Sequence, residues 1–157
     1  LNLDNENVSL KENNIVHNFL KSPYGGLWST SYYLWKKKPF VGIGLRNYSK
    51  LCPQIKNEVK IQNKWGYCSV HPHNYLIEIL TETGIIGLLL FLTIIFKMLS
   101  IFIKSFRSNV DMILLVSFLV ALLMPFKPSG AIFSSWYGSF FWFSIGLFLL
   151  LEKNKVK

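Results

Sequence analysis

Hydrophobic and polar positions along this chain change texture near residue 84. Before it, apolar residues come in short bursts broken by charge, amide and glycine. After it come three nearly unbroken apolar runs, at about 84–103, 112–126 and 136–151. An apolar run of about 20 residues is long enough to cross the roughly 30 Å hydrocarbon core as a helix rising about 1.5 Å per residue. The pattern predicts an all-α, polytopic transmembrane protein in two parts. Residues 1–83 form a large loop outside the membrane, carrying short amphipathic helices at its surface. Residues 84–157 form a membrane region of three transmembrane helices.

Within the first part, residues 1–14 are polar with little periodicity and read as loop or frayed helix. Ile15 to Lys38 suggests two short helices separated at Ser22-Pro23-Tyr24-Gly25-Gly26, a cluster that interrupts helices, with Ser29 or Thr30 capping the second. Trp28, Tyr32, Tyr33 and Trp35 suit either a membrane interface or an ordinary core. Lys36, Lys37 and Lys38 read as a run facing water and lipid headgroups, or as one that gathers an anionic lipid-linked substrate. The segment Pro39 to Asn47 has two closely spaced glycines, Gly42 and Gly44. It lacks the third glycine and the preceding strand of a dinucleotide fingerprint, which excludes that reading.

The densest chemistry lies between Cys68 and Gly87. Asn74 suits a helix N-cap, because its side-chain oxygen can accept from the unpaired N–H groups of the first turn. Apolar residues follow at Leu76, Ile77 and Leu80, so Asn74 to Thr83 reads as a short amphipathic helix that Gly84 ends or bends. His73 stands beside that helix start. A neutral imidazole there can act as a base, and the N–H groups favour a nearby anion such as phosphate. The alternative is that His73 and Asn74 only cap a helix at a membrane boundary. Glu78 and Glu82, four residues apart, share a helical face and read as a hydrated surface or as partners for loop lysines, with a catalytic acid/base pair as the alternative.

Composition sharpens the class. Half of the 157 residues are apolar and the formal charge is +9. The basic residues are dispersed and the apolar runs too long for a soluble nucleic-acid binder, so a membrane protein with no nucleic-acid partner explains both. Lys104 and Arg107 after the first run, and Lys153, Lys155 and Lys157 after the third, place the 104–111 loop and the C-terminus in the cytoplasm. The chain opens on Leu1 with no signal-peptide pattern, so a preceding span is expected to deliver the loop, and the chain reads as the C-terminal part of a larger protein. Cys52 and Cys68, in an exported loop, are expected to pair as a disulfide. A zinc site from these cysteines with His71 and His73 has suitable ligand types but no paired CxxC spacing, so no metal is expected. Arg46 is the one arginine of the loop, and its planar fork suits a diphosphate; a structural ion pair is the other use for it.

His73-Asn74, followed after nine residues by Gly84-Ile85-Ile86-Gly87, resembles the histidine motif of the O-antigen ligase family. Pro39-Phe40-Val41-Gly42-Ile43-Gly44-Leu45 resembles the PxxGxG segment of the same family's large periplasmic loop, and the likeness covers most of residues 28–104. The resemblance implies a multi-pass enzyme of the bacterial inner membrane with loop 1–83 in the periplasm. Its implied donor is a polyprenyl-diphosphate-linked glycan, its acceptor a lipid A-core sugar or other glycan hydroxyl, and its surroundings membrane lipids, with no cofactor. Carried over by motif, His73 is the catalytic candidate. Arg46, Asn74, His71 and Lys38 are candidate substrate contacts; no motif of the family supports Arg46. A polysaccharide polymerase or protein O-glycosyltransferase would use the same donor, and a non-catalytic membrane module is the alternative of a different class. The fragment by itself is expected to be inactive.

Overall fold

The computed structural model describes residues 18–19, 21–55, 68–105, 110–122 and 131–155. The expectations for residues 1–14, and for most of Ile15–Leu20, lie outside these. Every regular element among the described residues is helical: α1 (Pro23–Lys37), α2 (Tyr48–Leu51) running into a 3-10 turn (Cys52–Ile55), α3 (Tyr75–Ser105), α4 (Val110–Leu122) and α5 (Ser135–Lys155).

Helix α1 shifts the expected break to its first residues: Asn18 and Phe19 are helical, Lys21 and Ser22 turn, and α1 starts at Pro23 rather than after Gly26, so neither Ser29 nor Thr30 is its cap. Ser22 is its N-cap, accepting from Gly25 N–H at 3.1 Å, and Pro23 occupies the first turn, where its missing N–H costs nothing. The two glycines then lie inside the helix on its buried face with Leu27, Thr30, Ser31 and Leu34. Lys36 and Lys37 complement the negative end of the helix dipole. Lys38 leaves helical geometry at φ −146°, as expected of a residue preceding proline.

Helix α3 fuses the predicted amphipathic helix and the first apolar run into one element bent at Gly84, whose φ of 71° and ψ of −170° lie outside helical space. In an unbroken α-helix the N–H groups of Ile85 and Ile86 would donate to the carbonyls of Thr81 and Glu82. Here the strap 39–44 takes both sides of that exchange. Ile43 and Gly44 donate to Thr81 O at 3.0 Å and Glu82 O at 2.9 Å, while Ile85 and Ile86 donate to Pro39 O at 2.9 Å and Phe40 O at 3.2 Å. The bend therefore leaves none of these four backbone groups unsatisfied. Such close splicing admits no side chain at two places. A Cβ on Gly42 (φ 70°) would overlap the Glu82 backbone, and one on Gly84 would overlap the Phe40 carbonyl.

Helix α1 lies alongside the first segment of α3 and runs the same way. Tyr24 is near His73, the Thr81 hydroxyl is 3.4 Å from the Ser31 carbonyl, and Pro39 pairs with Ile85. Tyr48, almost fully buried, anchors α2 by donating its hydroxyl to Leu27 O at 3.2 Å, and it packs with Leu34, Ile43, Cys52 and Ile55.

Beyond Gly84, α3 packs with α4 and α5 around Phe91, Met98, Leu119, Phe141, Ile145 and Phe148. The outward faces of these helices are also apolar, with Leu89, Leu90, Phe96, Ile103 and Phe143 exposed. Helices apolar all round suit lipid rather than water. Tyr75–Ile101, 27 residues, is long and apolar enough to cross a membrane, and Trp136–Leu150 is a shorter apolar stretch. The second predicted run, 112–126, is helical in α4 to Leu122, and its remainder lies outside the described residues.

Candidate functional site

Among the described residues, two that are not glycine adopt left-handed backbone geometry: Arg46 at φ 57° and His73 at φ 54°. Such a conformation costs an L-residue about 1–2 kcal/mol. Each is held by a hydrogen bond from its own N–H to an acidic or imidazole side chain.

At the His73 turn, the His73 N–H donates to His71 Nδ1 at 3.2 Å, which places the His71 proton on Nε2. His71 is buried and its ring meets that of His73 edge-on at 4.4 Å between centroids. Burial, and then the neighbouring His73, lower the His71 pKa to about 4, so this ring is a neutral prop at pH 7. Pro72 between them is fully buried and rigidifies the turn. Asn74 accepts from Leu76 N–H at 3.0 Å and Ile77 N–H at 3.2 Å, capping α3. The His73 ring is half-buried, with Ser69 Oγ 3.4 Å from Nε2 and the Tyr24 ring 6.0 Å away. His73 Nδ1 is buried and has no hydrogen-bond partner among the described residues.

At the other end of this helical segment lies the Arg46 turn. Glu82 accepts from Arg46 N–H at 2.6 Å with one carboxylate oxygen and from Tyr48 N–H at 3.2 Å with the other. Its own backbone carbonyl takes the Gly44 N–H. The Arg46 side chain is exposed. Glu78 does the same for the turn before α5, accepting from Ile132 N–H at 3.3 Å. Both carboxylates are buried, 2% and 3% exposed, which corrects the expectation of a hydrated face. Their partners are backbone amides 36 and 54 residues away in sequence, and no lysine is involved in these bonds.

The predicted residues therefore fall into two groups. His71, His73 and Asn74 come together, joined by Tyr24 and Ser69, which sequence reasoning missed. Lys38, exposed at the end of α1, shares the Gly84 end with Arg46, because Lys38 O accepts from Gly42 N–H in the strap. Residues 74 and 82 are separated by about 12 Å of helical rise, so the two groups flank one segment rather than sharing a point. A Cys52–Cys68 disulfide, with Cα atoms 5.6 Å apart, ties the end of the Arg46 region to the strand of chain leading into the His73 turn. No group of three or more His, Cys, Asp or Glu side chains converges as a metal site among the described residues.

The arrangement presents the half-buried His73 ring on a stiff turn propped by His71, with the exposed Arg46 cation a short helical segment away. The O-antigen ligase family profile matches residues 10–92, which contain α1, the strap, both turns and the bend. A curated Rickettsia conorii protein provisionally named a polysaccharide ligase is 42% identical over 65 residues, covering 40% of this chain and 16% of the relative. A Rickettsia felis protein of the same provisional name is 41% identical over 64 residues, with the same coverages. No solved structure matches this chain. The matched stretch thus spans about one sixth of each relative, 16%, and more than half of this chain lies under the family profile: the chain belongs to the O-antigen ligase family.

Proposed function

We propose that this chain carries the acceptor-activating and donor-holding part of a membrane glycosyltransferase, which moves a glycan from a polyprenyl-diphosphate carrier to a hydroxyl such as that of a lipid A-core sugar. In the reaction, the acceptor O–H gives its proton to the His73 imidazole and its oxygen bonds the anomeric carbon. The bond from that carbon to the diphosphate breaks, and polyprenyl diphosphate leaves with the electron pair. A diphosphate is already a good leaving group, so the protein's work is to hold it, orient the acceptor and accept a proton. The observation that carries this reading is His73 itself. It is fixed in a left-handed turn by His71, and its Nδ1 has no partner among the described residues. A histidine that served only as a cap would have no need of this geometry, since Asn74 already caps the helix.

In the same proposal, loop 1–83 is periplasmic, the three apolar runs cross the inner membrane and the C-terminus is cytoplasmic. The test uses full-length protein with a polyprenyl-diphosphate-linked glycan, with and without lipid A-core acceptor. Transfer to lipid A-core that His73→Ala abolishes, at unchanged membrane level, is the expected result. Longer lipid-linked chains without that acceptor would make the enzyme a polymerase. Full activity in His73→Ala would reduce the turn to scaffolding.

A further inference from the structure

Glu82 has no place in the chemistry just described, yet its buried carboxylate is fully engaged. Both carboxylate oxygens and its backbone carbonyl bind the segment Gly44–Tyr48. A buried carboxylate needs hydrogen bonds to offset its lost hydration, and two backbone amides supply them. In return, the carboxylate holds Arg46 at φ 57°, a conformation the residue would not keep unaided. The gripped turn faces the point where α3 enters its apolar run, since Gly84 follows Glu82 by two residues. A lipid-linked diphosphate has to lie at that boundary, because its prenyl chain belongs in the hydrocarbon and its charge in water.

We infer that Glu82 is a positioning residue: by clamping the amides of Arg46 and Tyr48 it aims the Arg46 guanidinium at the donor's diphosphate. Removing the clamp lets the turn relax to ordinary backbone geometry and swings the guanidinium away, while the His73 turn, held by its own bonds, keeps its shape. The inference rests on the transferase reading above and adds a donor-specific role to it.

The experiment uses full-length protein in nanodiscs, with binding of undecaprenyl diphosphate and steady-state transfer measured separately. Arg46→Ala is expected to weaken undecaprenyl-diphosphate binding and raise donor KM at least tenfold, leaving acceptor KM unchanged. Glu82→Gln is expected to raise donor KM several-fold in the wild-type background and to add nothing in Arg46→Ala. Should Glu82→Gln fail to accumulate, Glu82→Asp, which keeps the charge but withdraws it by a methylene, takes its place. Equal losses in donor KM, acceptor KM and kcat, or a full additional loss on top of Arg46→Ala, would overturn the inference and leave Glu82 as a structural clamp. Transfer with donor KM unmoved in Arg46→Ala would sink the inference while the transferase reading stands. Diphosphate binding that depends on Arg46 and Glu82, without transfer to any acceptor, would sink the transferase reading and leave the positioning role.

Discussion

The two left-handed turns at the ends of residues 75–83 solve the same backbone problem differently. The Arg46 turn is gripped from outside, by a carboxylate on α3 and by the backbone of the bend, and the amides of Arg46 and Tyr48 are both paired. The His73 turn is held from within, by His71 two residues earlier, and one buried nitrogen of His73 has no partner among the described residues. An unpaired buried polar atom costs about 1–3 kcal/mol. The difference is one of satisfaction: the Arg46 turn has its amides paired and its side chain exposed, whereas the His73 turn leaves a buried ring nitrogen without a partner among the described residues.

Removing the His73 ring has the largest expected consequence. His73→Ala should lower glycosyl transfer by about 10²–10⁴-fold, the usual share of general acid–base catalysis, without changing the amount of protein in the membrane. His73→Gly should lose the same activity although glycine accepts φ 54° without cost, which separates the ring's chemistry from the shape of the turn. Activity retained in both would mean that the His73 ring has no part in transfer.

Next in size is the strap. Gly42→Ala combines a left-handed alanine with an overlap on the Glu82 backbone, and should destabilise the folded protein by about 2–5 kcal/mol. Thermal unfolding of the detergent-solubilised full-length protein would register this, and an unchanged midpoint would contradict the splice at Gly84.

Acid should act on the other turn. The folded pKa of His71 is about 4 against about 6.5 in an unfolded chain, so between these values the unfolded state binds the extra proton. The stability that His71 contributes is complete above pH 6.5 and lost as pH falls toward 4. His71→Asn keeps an acceptor for the His73 N–H and cannot titrate there. Its unfolding midpoint should fall less than that of the wild type between pH 7 and 4.5, and equal falls would remove His71 from the account.

The smallest effect concerns the cap. Asn74→Ala should cost about 1 kcal/mol and Asn74→Ser only a few tenths. Transfer preserved in Asn74→Ser and reduced in Asn74→Ala would identify Asn74 as a cap. Loss in both would make it a substrate contact as well.

Much of this geometry was legible in the residues. Asn74 as cap and Gly84 as bend follow from local rules, because the partners of a cap lie within one turn. The apolar run after Gly84 is equally plain. Ser22-Pro23 also carries the signature of a helix start, but the adjoining Gly25-Gly26 suggests a break, and only burial against α3 shows why glycine is tolerated there. The roles of Glu78 and Glu82 could not be read at all. Their spacing is that of a solvent-facing stripe, and nothing in a sequence marks which distant amide a carboxylate will meet. Tyr24 beside His73 is hidden for the same reason, since it depends on α1 lying parallel to the first segment of α3.

The exchange of hydrogen bonds at Gly84 also bears on how the protein assembles. Four amides, Ile43, Gly44, Ile85 and Ile86, owe their protection from solvent to a single joint between segments some forty residues apart. They form one opening unit, and deuterium should enter all four at a common rate however unequal their individual depth. During biosynthesis the strap emerges first and has to wait, unpaired, for the helix that completes it.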